Sequence, residues 1–275
     1  MIRLTLREAL DAAQSLGLPR LDAQLLMLHA LNKPDTDRAW LLAHDQDLLD
    51  GKALDDYRAF SQRRADGEPL AYITGFKEFF GLRFSVDKRV LVPRPDTETL
   101  VRWALDVLQG TRSAQVLDLG TGSGAVAIAI ARHLQCTVTA TDFSAAALTV
   151  ATSNALQLAA DITCLQSSWF DNVDGLFHLI ASNPPYIADA DPHLAALTHE
   201  PINALTSGAD GLKDIRQIVQ HAPEYLHAGG WLMLEHGYDQ AANVRRLLLQ
   251  RGFQQVQSRI DLANIERCSG GQWPH

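Results

Sequence analysis

The stretch that most constrains the fold is Val116-Leu117-Asp118-Leu119-Gly120-Thr121-Gly122-Ser123-Gly124, followed at once by an apolar helical pattern over 125–134. A short apolar strand that ends in a glycine-rich turn and runs directly into a helix is the opening unit of a doubly wound α/β sheet. In such sheets the turn at the strand's carboxyl end is where ligands bind. The pattern continues with strands predicted over 137–141, 162–165, 177–182 and 230–235. Helices are predicted from a Ser144 cap to about 158, over 212–226 and over 244–250. An extended segment is predicted over 253–258 and a final edge strand over 265–273. Strands alternating with helices predict a mostly parallel sheet covered on both faces.

Upstream, the period differs. Residues 2–73 read as helical: Leu6, Leu10 and Ala13 share a face, and Thr5 with Glu8 three residues later has the spacing of a capping box. Leu21, Leu25, Leu26 and Leu28 continue at helical spacing until Pro34. Further helices are predicted over 37–43 and 48–66, and Gly67-Glu68-Pro69 ends the last. Phe76, Phe79, Phe80, Leu82, Phe84 and Val86, broken by Gly75 and Gly81, then predict a β-hairpin. The expected organisation is a small helical domain over 1–73, a hairpin linker over 74–94 and an α/β domain over 95–275.

Charge limits the partners. The 275 residues carry 24 basic and 32 acidic side chains, a formal charge of −8. Residues 58–102 are the only net-basic stretch, with 9 basic and 6 acidic groups, and residues 103–275 carry 9 and 16. An acidic chain is a poor general nucleic-acid binder, because phosphates are neutralised by Lys and Arg. The basic stretch reads either as a solvated surface or as a docking face. Cys136, Cys164 and Cys268 are widely spaced and form no metal-ligand pattern. They fit a reducing cytosol. The first eight residues carry charges where a signal peptide needs an apolar run. No apolar stretch is long enough to span a bilayer.

Two loops carry the chemistry. In the first, Gly120, Thr121, Gly122, Ser123 and Gly124 let the backbone approach a ligand closely, and Asp142 ends the next strand where it can accept from ribose hydroxyls. The glycine spacing is G-x-G-x-G with Ala125, not the G-x-G-x-x-G of dinucleotide folds, although both nucleotide classes use an acidic residue here. Trp169-Phe170 follows the third strand, where an aromatic ring would lie against a base or simply fill the core. The second loop is Asn183-Pro184-Pro185-Tyr186. Its prolines lack N–H groups, so it turns acceptors outward. The Asn183 side-chain oxygen and the Pro184 carbonyl together suit an NH2 group, and Tyr186 offers a flat face to a planar substrate. A planar amide or amine nitrogen has a delocalised lone pair. Two acceptors would fix its hydrogens and orient it toward an electrophile, leaving the protein mainly the task of positioning. His199, His236, Glu200 and Glu235 form no constellation for acid–base work at these spacings.

Asp118-Leu119-Gly120-Thr121-Gly122-Ser123-Gly124 resembles the first motif of class I methyltransferases. The whole chain resembles the protein-(glutamine-N5) methyltransferases of the PrmC/HemK family. The resemblance rests on Gly67-Glu68-Pro69-Leu70-Ala71-Tyr72-Ile73-Thr74-Gly75, Glu78-Phe79-Phe80-Gly81-Leu82 and Val90-Leu91-Val92-Pro93-Arg94-Pro95-Asp96-Thr97-Glu98. It rests further on Asn183 to Tyr186, Glu200-Pro201 with Ala204-Leu205, and Gly208-Ala209-Asp210-Gly211-Leu212. It implies a class I, Rossmann-like methyltransferase with a mostly parallel seven-stranded sheet, preceded by a helical domain that helps to hold the substrate. It implies S-adenosylmethionine as methyl donor, held by Gly120 to Gly124, Asp142, Trp169 and Asn183. The implied substrate is the glutamine of the Gly-Gly-Gln motif in class I peptide chain release factors, bound by Asn183, Pro184, Pro185 and Tyr186 in the cytoplasm, with no nucleic-acid substrate. Asp96 stands where many relatives have Glu. The C-terminal Cys268-Ser269-Gly270-Gly271-Gln272-Trp273 is less apolar than a typical last strand, predicting a short one, and itself contains Gly-Gly-Gln. Two alternatives stand beside this reading: a nucleic-acid amino-methyltransferase, which uses the same loop on a flipped base, and a non-enzymatic binding protein that retains a cofactor pocket.

Overall fold

The computed structural model describes residues 3–274. Met1, Ile2 and His275, at the ends of the ranges predicted above, lie outside the described residues. The chain divides into two compact units, residues 1–75 and 76–275.

The first unit is helical: α1 (Leu6–Ser15), α2 (Arg20–Ala30), α3 (Arg38–Ala43), α4 (Gly51–Ala65) and α5 (Leu70–Thr74). Thr5 caps α1 reciprocally with Glu8: Glu8 N–H donates to the Thr5 hydroxyl and Thr5 N–H donates to the Glu8 carboxylate. Leu6, Ala9 and Ala13 of α1, Leu26 and Met27 of α2, and Leu54 and Tyr57 of α4 share one core; Leu10 sits only at its margin. Predicted from 48, α4 starts at Gly51 because the Asp50 carboxylate accepts from Ala53 N–H and sets the first turn there.

The second unit opens with the hairpin β1 (Phe76–Phe79) and β2 (Leu82–Ser85), paired from Phe76↔Ser85 to Phe79↔Leu82. Its two turn residues, Phe80 and Gly81, both have positive φ, as a two-residue turn matching strand twist requires. Next come α6 (Glu98–Leu108), β3 (Ala114–Leu119), α7 (Ala125–His133), β4 (Cys136–Asp142), α8 (Ala145–Gln157), β5 (Ile162–Gln166) and β6 (Phe177–Ser182). The unit ends with α9 (Lys213–His221), β7 (Leu226–Glu235), α10 (Ala241–Arg251), β8 (Gln254–Ile260) and β9 (Glu266–Gln272). The seven strands β3 to β9 form one sheet in the order β5-β4-β3-β6-β7-β9-β8. The first five run parallel, and β9 pairs antiparallel with both neighbours. Strands β3 and β6 are buried almost throughout, as expected of a parallel sheet covered on both faces.

Two expectations are corrected. The helix predicted over 212–226 stops at His221, because Pro223 falls in the following 3-10 turn and β7 has begun by Leu226. The segment predicted as a short edge strand is instead the seven-residue β9, lodged between β7 and β8, and β8 forms the edge. The weak apolarity of β9 has a steric cause. A Cβ on Gly270 would lie 2.6 Å from the Leu232 carbonyl oxygen and 2.9 Å from the Trp103 ring; one on Gly271 would lie 2.9 Å from Phe253.

Candidate active site

Strand order reverses between β3 and β6, so the carboxyl ends of these neighbours open a crevice. Leu119 and Ser182 are register partners, and the Ser182 hydroxyl donates to the Leu119 carbonyl at 2.7 Å. The glycine loop therefore leaves the sheet beside the Asn183 loop. Between them lies a cavity of about 450 Å³, within the range of small-ligand and cofactor sites. Gly120, Thr121, Gly122, Ser123, Asp142, Trp169, Asn183 and Pro185 all line it.

The glycine loop is built for close approach. Gly120, Gly122 and Gly124 all have positive φ, a conformation that side chains resist. Gly122 N–H donates to one Asp142 oxygen at 2.9 Å and Ser144 N–H to the other at 2.9 Å. Asp142 is thus aimed while each oxygen keeps acceptor capacity. Burial raises its pKa. Deeper in the wall, Asp118 is 1% exposed. Its Oδ2 accepts from the Thr121 hydroxyl at 2.6 Å and from Ala127 N–H at 3.2 Å. Burial lifts its pKa to about 6 despite those bonds. Asp118 belongs to the motif yet was not singled out as a site residue; the available signal was a carboxylate at the end of an otherwise apolar strand.

Trp169 lines the cavity with φ +48, and a Cβ on Gly120 would sit 3.5 Å from its ring. A large residue held at positive φ is backbone strain, which concentrates at functional sites. Phe170 is corrected: it lies in the core, stacked on Tyr225 with centroids 4.6 Å apart. The second aromatic at the cavity is Phe143, 55% exposed. Pattern reading missed it, because one aromatic after a strand is indistinguishable from a loop residue.

In the second loop, Asn183 and Pro185 face the cavity, Pro184 is buried, and Tyr186 packs against the core of the unit. The Asn183 Nδ2 donates to the Thr97 hydroxyl at 3.2 Å, which leaves its Oδ1 as the acceptor. The Tyr186 hydroxyl donates to Glu235 Oε1 at 3.3 Å, and its carbonyl accepts from Gln240 at 3.0 Å. Ile187 N–H donates to Leu205 O and Ser207 N–H to Ile187 O, each at 2.9 Å, pinning the chain just beyond. Gly211 (φ +71) lies under the same loop: a Cβ there would come within 2.2 Å of the Tyr186 carbonyl oxygen.

The surrounding polar residues are structural supports. Glu200 accepts from Val92 N–H at 3.0 Å and pairs with Arg94. His236 is satisfied at both nitrogens, by the Gly237 carbonyl and Ser269 hydroxyl, and burial lowers its pKa. Gln272 donates to the Gly229 carbonyl at 2.8 Å and accepts from Gln255 at 2.6 Å. It pairs with Trp231 in the middle of β7, whereas Cys268 pairs with Glu235 at the end beside the Asn183 loop. The Gly-Gly-Gln of this chain is therefore strand, with its amide engaged away from the cavity.

The cavity fits S-adenosylmethionine on its own chemistry. Asp118 and Asp142 offer two carboxylates to a ligand with cationic and ribose groups, the open glycine backbone admits its chain, and Phe143 and Trp169 offer apolar faces to a base. Fold and site together define a class I methyltransferase that uses S-adenosylmethionine.

Comparison with known proteins narrows this. Residues 5–75 match the PrmC N-terminal domain and residues 97–261 the Methyltransferase small domain. The chain is 49% identical to the release factor glutamine methyltransferase of Bordetella pertussis, over 93% of this chain and 95% of that one. It is 48% identical to that of Burkholderia pseudomallei, over 97% and 96%. The chain belongs to the release factor glutamine methyltransferase family. Among solved structures, a methyltransferase from Pyrococcus furiosus aligns with TM-score 0.55 at 17% identity, over 78% of this chain and 98% of that one. The hMettl16 catalytic domain aligns with TM-score 0.57 at 17% identity, over 78% and 81%. Both report the fold.

Proposed function

We propose that this protein methylates the side-chain amide nitrogen of the glutamine in the Gly-Gly-Gln motif of class I peptide chain release factors. The observation that carries the reading is the Asn183–Thr97 hydrogen bond. With Nδ2 committed to Thr97, Asn183 Oδ1 is an acceptor at the cavity wall, beside the loop suited to the methyl donor. A carboxamide NH2 needs such an acceptor. A second acceptor from the same loop would hold both its hydrogens and give the nitrogen one orientation. Gly120 to Ser123 and Asp142 would hold S-adenosylmethionine through its chain and ribose, while Gly124, absent from the cavity lining, packs against Ile128 and Ala151; Trp169 and Phe143 would flank its base, and Asp118 would face its positive charge. Bound there, the cofactor supplies an electrophilic methyl group. No strong base is required, because an amide nitrogen becomes acidic once it is alkylated.

The −8 charge supports a protein substrate over a nucleic acid. The helical unit, which contributes nothing to the cavity lining, is assigned to holding the release factor. No helix of the described residues is long and apolar enough to cross a membrane; release factors would be met in the cytoplasm. The test uses labelled S-adenosylmethionine with purified release factor, a factor whose motif glutamine is replaced by alanine, and total tRNA, rRNA and DNA. Label is expected on the intact factor alone. Label on nucleic acid and none on the factor would overturn the proposal.

A further inference from the structure

The Asn183 loop is rich in acceptors and poor in donors. Pro184 and Pro185 have no N–H. Asn183 Nδ2 is spent on Thr97, the Tyr186 hydroxyl on Glu235 and Ile187 N–H on the Leu205 carbonyl. Such a loop suits an NH2 group but not the chain that carries it. The two glycines before the target glutamine have no side chains, so backbone groups are all they offer for recognition. A carbonyl taken out of water without a donor is costly. The donors must come from another part of the wall.

Lys88, Arg89 and Arg94 line the cavity. Lys88 is exposed, and Arg89 is turned back on Asp87 through Nε and Nη2. Arg94 is built in. Pro95 restricts the residue before it to extended backbone, and Arg94 has φ −103 and ψ 146. Its Nη2 pairs with Glu200 Oε2, while Glu200 Oε1 accepts from Val92 N–H at 3.0 Å. The Glu200 side chain is 2% exposed and that of Arg94 42%. A buried carboxylate engaged at both oxygens thus fixes the guanidinium at the cavity. Among the described residues the Arg94 side chain makes this one hydrogen bond, so Nε and Nη1 keep their donors in a planar fork.

We propose that Arg94 is a specificity-determining residue that donates to the backbone carbonyls of the two glycines preceding the target glutamine, and that Glu200 is the residue that positions it. The inference rests on the functional reading above and deepens it. Two further observations carry it. Glu200 opens the segment whose Pro201, Asn203 and Ala204 also line the cavity, and Leu205 ties that segment to Ile187 beside the Asn183 loop. Arg94 is therefore held from the substrate side and not from the glycine loop. Its charge is also met by Glu200, so its remaining donors suit a neutral carbonyl better than an anion.

The test is steady-state methylation of release factor by the full chain, with calorimetry of S-adenosylhomocysteine and of 5′-methylthioadenosine, which lacks the amino-acid end. Arg94→Met keeps the apolar stem and removes the donors. It is expected to raise KM for release factor about 10- to 100-fold, with a much smaller change in kcat and unchanged Kd for both nucleosides. Arg94→Lys, a cation without the fork, is expected to recover part of the loss. The double variant Arg94→Met with Glu200→Gln leaves no buried charge unpaired and is expected to match Arg94→Met alone; it carries the test if the single variant fails to fold in thermal melts. Wild-type KM in either variant would overturn the proposal, and recovery in the double variant alone would trace the loss to an orphaned Glu200. Weaker binding of S-adenosylhomocysteine with unchanged 5′-methylthioadenosine would place Arg94 on the cofactor carboxylate and equally overturn it. So would a KM effect abolished by salt, which marks an acidic side chain of the factor as its partner. A wild-type enzyme that labels no release factor at all would instead remove the functional reading beneath it.

Discussion

Under the proposed function, Asn183 meets the substrate nitrogen through its carboxamide oxygen while its Nδ2 is held by Thr97. Replacing it with alanine removes an acceptor that orients the nitrogen, a loss expected to lower kcat by about 100-fold or more. It leaves the core intact, so the melting temperature should move by only a few degrees. Turnover near wild type would remove Asn183 from this role. Asp118 makes a different prediction. Its pKa rises from the ordinary aspartate range to about 6 in the folded protein, chiefly through burial. A carboxyl raised on folding stabilises most when protonated, so its contribution is complete below about pH 4 and is lost as pH rises through about 6. Asp118→Asn lacks this titration. The wild-type stability minus that of the variant, from urea unfolding, is therefore expected to fall by on the order of 2–3 kcal/mol between pH 4 and 7. A pH-independent difference would mean that Asp118 is not raised.

At the level of loops and strands, the Asn183 loop is held from beneath by Gly211. An alanine there combines a positive φ, which costs a side chain about 1–2 kcal/mol, with a Cβ 2.2 Å from the Tyr186 carbonyl oxygen. Gly211→Ala is expected to destabilise the protein measurably and to lower kcat at least tenfold by displacing the loop; crystals with an unmoved Tyr186 would contradict this. The requirement also explains why Gly208-Ala209-Asp210-Gly211-Leu212 was visible as a motif. Other parts of the pattern were legible for similar reasons. Asp96 pairs with Arg267 at 3.2 Å, Thr97 meets Asn183, and Glu98 accepts from Phe80 N–H at 3.3 Å, so each polar residue of that run has a fixed partner. What stayed hidden was whatever depends on distant segments meeting. Glu235 shows no spacing relation to Tyr186, whose hydroxyl donates to it, and the sequence does not separate Phe170 from Trp169, although Tyr225 covers the Phe170 ring. Strand β9 was misplaced because its glycines answer to neighbours on both sides, which local periodicity does not reveal.

Over the whole chain, the two units keep separate cores, one built from α1 to α5 and one around the sheet. The cavity lining is drawn entirely from residues 88–214. A defect in the helical core should therefore leave the cofactor site alone. Leu26, fully buried in α2, is the place to make one: Leu26→Ala is expected to cost about 2–5 kcal/mol within that unit. Calorimetry should show an unchanged cofactor Kd, while KM for release factor rises. A weakened cofactor Kd would contradict this expectation.

The position of β9 bears on how the protein is made. Residues 266–272 lie between strands formed by 226–235 and 254–260, so the sheet has a gap until they arrive. Chains fold from the amino terminus as they are synthesised, and β8 emerges before the strand that must separate it from β7. The helical unit can form on the nascent chain, but β8 has no neighbour to pair with until residues 266–272 have followed it.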